Sequence, residues 1–197
     1  MRRKLLQYFS GAERLLWGLS VVFIVGSFCA FDRENYLTLA ASLIGVTSLI
    51  FNAKGNPIGQ VLMVLFSLLY GIISYTFAYY GEMITYLGMT MPMAVFALIS
   101  WLKNPYNGRR SEVKVNTIGK KEIVLMCLAA VVATGVFYWI LKMFHTANLL
   151  PSILSVTTSF LAVYLTFRRS AYFALAYASN DICLLYTSPS PRDMRRS

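Results

Sequence analysis

Six polar side chains lie in or beside apolar runs, where they could grip a small solute: Gln60, Tyr70, Tyr86, Trp101, Asn180 and Asp181. Polar groups in an apolar setting cost energy and need partners, so they face a bundle interior or a cavity. Amides such as Gln60 and Asn180 can hold sugar hydroxyls, and Asp181 can attract a cation. Aromatic faces can stack on a cation for about 0.5–2 kcal/mol. Bond-breaking chemistry has no such support. The single histidine, His145, is too little for a Ser-His-Asp or His-rich metal site. Gly55-Asn56-Pro57-Ile58-Gly59 lacks the Lys-Ser/Thr ending of a phosphate loop. The sequence therefore reads as a non-enzyme, with no catalytic residue, metal or cofactor expected.

Plainer roles compete for several polar residues. Ser67, Ser74, Thr85 and Thr90 can bond back to their own helix or pack between helices. Glu82 reads as a solvated carboxylate in an outer joint, Gly81-Glu82. Cys29, Cys127 and Cys183 stand singly in apolar sequence and read as small buried residues.

The elements that must carry these groups are membrane spans. Of the residues, 57% are hydrophobic and only 13% charged, against about a quarter charged in soluble domains. Crossing the hydrocarbon takes roughly 20 mostly apolar residues. Leu15–Phe31, Tyr36–Ala53, Ile58–Tyr80, Met83–Leu102, Ile123–Leu141 and Leu150–Phe167 meet or approach that length. A seventh run begins near Tyr172 and stops early. Barrel strands would alternate apolar and polar residues over about 10 positions, which these runs do not. The fold class expected is an all-α polytopic membrane protein.

The net charge of +10 then reports orientation. With alternating spans, Arg2, Arg3, Lys4, Arg14, Lys54, Lys103, Arg109, Arg110, Lys114, Lys120, Lys121, Arg168 and Arg169 share one side. Ahead of the C-terminal tail, only Arg33 and Lys142 fall opposite. The positive-inside rule puts the first side, and the N-terminus, in the cytoplasm, where basic groups meet anionic lipid headgroups. Nucleic-acid binding is not expected. Leu15–Phe31 is too long for a signal-peptide core and precedes Asp32-Arg33-Glu34-Asn35, so it reads as an uncleaved span.

The chain divides into a basic segment with a leading helix (1–35), a three-helix bundle (36–102), a basic loop (103–122), a linker helix with an outer loop (123–148), an incomplete second bundle (149–183) and a tail (184–197). Because the linker is one helix, Tyr36–Ala53 and Leu150–Phe167 run the same way. Each carries hydroxyls, Thr47-Ser48 and Thr157-Thr158-Ser159, which suggests a parallel internal repeat, a plan known in transporters. Pro92 frees a carbonyl inside the third span of this block and permits a kink. Near Ile182 the sequence turns to Tyr186-Thr187-Ser188-Pro189-Ser190-Pro191-Arg192-Asp193, which looks like a translated adapter. The expectation is that authentic sequence stops there and a last helix is missing.

Ala53-Lys54-Gly55-Asn56-Pro57-Ile58-Gly59-Gln60, Ser67 to Tyr75, Tyr79-Tyr80-Gly81-Glu82-Met83, Trp101 to Pro105, Leu161 to Ser170 and Tyr172 to Asp181 together resemble the PnuC nicotinamide riboside transporters. The resemblance implies a SWEET-like 3+1+3 helix plan with an extra N-terminal helix, and a homotrimer in the plasma membrane. It implies facilitated diffusion of nicotinamide riboside or a related vitamin precursor, trapped by a cytoplasmic kinase. Gln60 and Asn180 match amide positions of the family, and Trp101 matches the aromatic ending the third helix. Tyr86 stands near a position often Asn or Gln, and Tyr172-Phe173 stand where many relatives have Trp; both departures leave the exact solute open. The alternative in another class is a non-transporting membrane scaffold or sensor.

Overall fold

The computed structural model describes residues 8–31, 33–77, 80–144 and 149–187. Helices α1 (Gly11–Phe31), α2 (Tyr36–Ala53), α3 (Pro57–Thr76), α4 (Tyr80–Lys103) and α5 (Lys120–Met143) are long and apolar enough to cross a membrane. They are followed by α6 (Leu149–Phe167) and α7 (Phe173–Thr187). His145 and the residues from Ser188 onward, most of the tail expected over 184–197, lie outside the described residues; its first four residues continue α7.

The spans begin and end close to where hydropathy puts them, with one shift. The third helix stops at Thr76, and α4 already runs from Tyr80. Gly81 and Glu82, expected as a joint, are therefore helical; Glu82 lies in the first turn, where a carboxylate suits the helix N-terminus. The basic loop is not simply irregular either. Pro105–Tyr106 (β1) and Arg109–Val113 (β2) pair antiparallel, with the turn residues Asn107 and Gly108 both at positive φ.

Many large apolar side chains face outward, as lipid-facing surfaces must. No residue of α1 is buried, and Phe31 is 89% exposed. Cys29 and Cys127, expected as buried, belong to this exposed surface; only lipid-like surroundings make an outward small apolar residue comfortable. The interior is small. Met89, Phe137, Leu141 and Val156 join α4, α5 and α6 in one apolar cluster.

Two turns at the basic end of the bundle share a hydrogen-bond pattern. After α2, Gly55 N–H donates to Asn52 O (2.9 Å) and Asn56 N–H to Phe51 O (2.9 Å); after α6, Arg169 N–H donates to Thr166 O (3.0 Å) and Ser170 N–H to Leu165 O (3.0 Å). Gly55 and Arg169 both adopt left-handed backbone, φ 66° and 59°. Asn56 Oδ1 then accepts from Ile58 N–H, and Ser170 Oγ from Tyr172 N–H, as caps for the next helix. Each second member lies the same number of residues beyond the first.

One loop bonds both turns. Val113 N–H donates to Gly55 O (2.9 Å) and Asn116 N–H to Arg169 O (3.0 Å). An ion pair flanks each turn: Lys54 with Glu13 of α1 at 3.1 Å, and Arg168 with Glu122 of α5.

The hydroxyl clusters do not match in this register. Ser48 corresponds to Ala162, not to a hydroxyl. Instead, Trp17 of α1 donates to Thr47 Oγ1 (3.2 Å), and Thr157 meets Thr134 of α5 (2.8 Å). These hydroxyls fasten the preceding helices.

Candidate functional site

Gln60 is in the first turn of α3, one residue after Gly59, where the helix leaves its Asn56 cap. It is 1% exposed. A buried amide must be paired, and Gln60 Nε2–H donates to Asn52 Oδ1 of α2 at 2.8 Å. Asn52 in turn lies 3.4 Å from Ser48 Oγ through its Nδ2. The α2–α3 approach that permits this needs Gly59. A Cβ there would sit 2.2 Å from Asn52 Oδ1 and 2.7 Å from its backbone nitrogen.

Gln60 opens onto a cleft between the two halves of the molecule. Met63 of α3, Thr90, Met93, Ala94 and Ala97 of α4, Val163 and Thr166 of α6 and Tyr177 of α7 complete it. The space is about 180 Å³ and admits no water-sized sphere, whereas ligand pockets span about 300–1,000 Å³. This conformation is closed at that point. Its lining mixes an amide, two threonines and a phenol with methionine and alanine, a set that can hydrogen-bond and stack but carries no formal charge.

Thr90 reaches the cleft because α4 is not a regular helix. Residues Tyr86–Thr90 form a π-helical turn. Pro92 has no N–H to give to the carbonyl four residues before it. The ladder widens ahead of it, and Met91 N–H bonds to Tyr86 O, five residues back. The kink expected at Pro92 takes this form, and such turns often mark functional sites.

The same turn stacks Tyr86 on α3. The Tyr70 and Tyr86 rings are 4.5 Å apart between centroids, with Phe66 5.6 Å from Tyr70 and 5.9 Å from Tyr86. A cation near this aromatic cluster would meet ring faces.

Trp101 has a different task. It is 2% exposed, and its indole N–H donates to Thr166 O at 2.9 Å. That carbonyl also accepts Arg169 N–H. Trp101 thus ties α4 to the end of α6, and its donor is used up on backbone; it does not line the cleft.

Asn180 is buried in α7, with Oδ1 accepting from Ser155 (3.4 Å), Thr158 (2.7 Å) and Ser159 (3.1 Å) of α6. These hydroxyls are spaced i, i+3 and i+4, one face of a helix. Asp181, expected to attract a cation, is exposed because the helical step from Asn180 turns it outward. The structure brings Tyr70 to Tyr86 and Gln60 to the cleft, and it leaves Asn180 in a separate hydroxyl cluster. The sequence candidates missed Thr166, which reads as one more hydroxyl at a helix end. Thr90 and Tyr177 were legible only as polar groups within spans.

A family model described as nicotinamide mononucleotide transporter matches residues 35–188. The chain is 30% identical, over 146 residues, to the nicotinamide riboside transporter PnuC of Neisseria mucosa; the alignment covers 72% of this chain and 54% of that protein. The chain thus spans about half the length of the curated relative it matches. Its fold is similar to the crystal structure of the vitamin B3 transporter PnuC, with TM-score 0.74 and 22% identity, covering 90% of this chain and 77% of that one.

Proposed function

Because the chain belongs to the nicotinamide mononucleotide transporter family, a family of transporters and not of enzymes, we propose that it moves nicotinamide riboside or a close relative across the plasma membrane. The carrying observation is the cleft between the halves, lined by Gln60, Thr90, Thr166 and Tyr177. No lysine or arginine lines it, so nothing there balances a phosphate. A nucleoside suits it better than a nucleotide. The ribose hydroxyls would hydrogen-bond with the amide and the threonines, and the cationic ring would meet the Tyr70–Tyr86 pair by cation–π attraction, worth about 0.5–2 kcal/mol.

Movement is by facilitated diffusion, with a cytoplasmic kinase trapping the imported solute. Among the described residues there is no group of three or more His, Cys, Asp or Glu side chains fit to hold a metal ion. A 3+1+3 helix plan with an extra leading helix is supported by the matching turns at Gly55 and Arg169. The basic ends of α2, α4 and α6 lie together, which supports a cytoplasmic N-terminus under the positive-inside rule. Exposed apolar faces leave room for lipid and for a homotrimer. Of the sequence candidates, Gln60, Tyr70 and Tyr86 would serve the solute directly, Asn180 would brace α7 against α6, and Trp101 would hold the two halves together.

Uptake of labelled nicotinamide riboside into vesicles carrying the chain tests this reading. Saturable, gradient-driven equilibration is expected. Absence of uptake and of binding for every nucleoside-like vitamin would reject it.

A further inference from the structure

We propose that Asn52 is a positioning residue: it fixes the polarity of the Gln60 amide, so that the cleft presents Oε1, an acceptor, and selects solutes that donate a hydrogen bond there. The inference rests on the cleft being the solute site.

Two amides facing each other can in principle be paired in either sense, since O and N are similar in size and shape. Gly59 breaks that degeneracy. Its missing Cβ would lie 2.2 Å from Asn52 Oδ1, so the group in that place is pressed against the glycine Cα–H. An oxygen there makes a weak C–H···O contact; an amino group would drive hydrogen against hydrogen. Asn52 Oδ1 therefore faces Gly59 and Gln60, and Nδ2 faces Ser48 Oγ, which can accept. Gln60 must then give Nε2–H to Asn52, leaving Oε1 as the group it offers to the cleft. Asn52 and Gln60 are both buried, so neither amide can turn to water for an alternative partner.

Asn52 does not line the cleft, so its effect on the solute passes through Gln60. Its removal should alter selectivity more than occupancy. Replacing a group that a site is built to bond is rejected strongly only while the site is locked.

The test compares Asn52→Leu with the parent chain, using nicotinamide riboside and analogues in which one donor is removed: the 2′-deoxy, the 3′-deoxy and the N,N-dimethylcarboxamide forms. In the parent, at least one analogue should bind about tenfold more weakly or worse. In Asn52→Leu that ratio should fall to within about threefold. Equal weakening of all ligands with an unchanged ratio would mean a structural role only and would overturn the inference. So would a parent that discriminates against none of the analogues.

A solute-free readout separates this inference from the transport reading. With glutamine side chains labelled by ¹⁵N, the Gln60 NH₂ protons should exchange slowly in the parent and quickly in Asn52→Leu. Fast exchange in the parent overturns the inference whatever the chain transports. Slow exchange without binding of nicotinamide riboside rejects the solute assignment instead. Asn52→Asp, which keeps the acceptor, should retain the slow exchange even if Asn52→Leu fails to fold.

Discussion

Gly55 and Arg169 occupy equivalent turns, and the same loop holds both: Val113 N–H on the Gly55 carbonyl and Asn116 N–H on that of Arg169. Both residues are left-handed, yet only one is glycine. L-residues in that conformation cost about 1–2 kcal/mol. Burial, and then the neighbouring Arg168 charge, also hold the Arg169 guanidinium below its ordinary value.

Substitutions at the two turns should therefore act with opposite sign. Gly55→Ala should lose about 1–2 kcal/mol, since it adds strain and a Cβ 3.1 Å from Val113 Cγ1. Arg169→Gly should gain about 0.5 kcal/mol, the relief of strain less the added freedom of the unfolded chain. Thermal unfolding in one detergent checks both, and equal signs would contradict the equivalence.

Trp101→Phe keeps an aromatic ring but removes the N–H given to Thr166 O and part of the buried volume. Because Arg169 N–H still satisfies that carbonyl, the lost hydrogen bond should cost about 1 kcal/mol, with the smaller ring's void adding to it. Trp101→Ala also empties a buried site and should cost about 3–5 kcal/mol. A Trp101→Phe protein that is fully stable but no longer binds solute would place Trp101 in the solute site instead.

Gly59→Ala should be costly, and Gly88→Ala should not. The first puts a Cβ against Asn52 backbone and side chain; the second meets only Ile84 Cγ2 at 3.8 Å. Overpacking at Gly59 should cost about 1–3 kcal/mol, seen as a lowered midpoint and weakened solute binding together. Equal tolerance of both changes would argue against the α2–α3 approach.

Gln60→Ala should weaken binding of nicotinamide riboside by about 1–3 kcal/mol, the cost of leaving a solute group unpaired, whereas Asn180→Ala should act only through the loosened α6–α7 contact. The purified variants should stay monodisperse, because Asn52 keeps Ser48, Thr158 keeps its backbone bonds to Leu154 and Ser155, and the two serines can bond back to their own helix. Isothermal titration reads the affinity. Unchanged binding in Gln60→Ala refutes the assignment of this amide to the solute.

The order of residue types was enough for the class of protein and for the approximate run of its helices. Spans such as Tyr36–Ala53 are legible because burial in hydrocarbon acts on each residue locally, whichever neighbours it finds. The caps at Asn56 and the stop at Lys54-Gly55 are local for the same reason. The use of each polar group came from packing. Gln60 and Trp101 look alike on paper, as polar groups at span ends, but packing gives one to the cleft and spends the other on the Thr166 carbonyl. Asn180 and Asp181 are adjacent, and one helical step separates a buried acceptor from an exposed carboxylate. The π-turn that turns Thr90 inward depends on a single proline and on the helices packed around it. Partners across a bundle are chosen by shape and by the need to pair every buried donor, and neither is written in the order of residues along one helix.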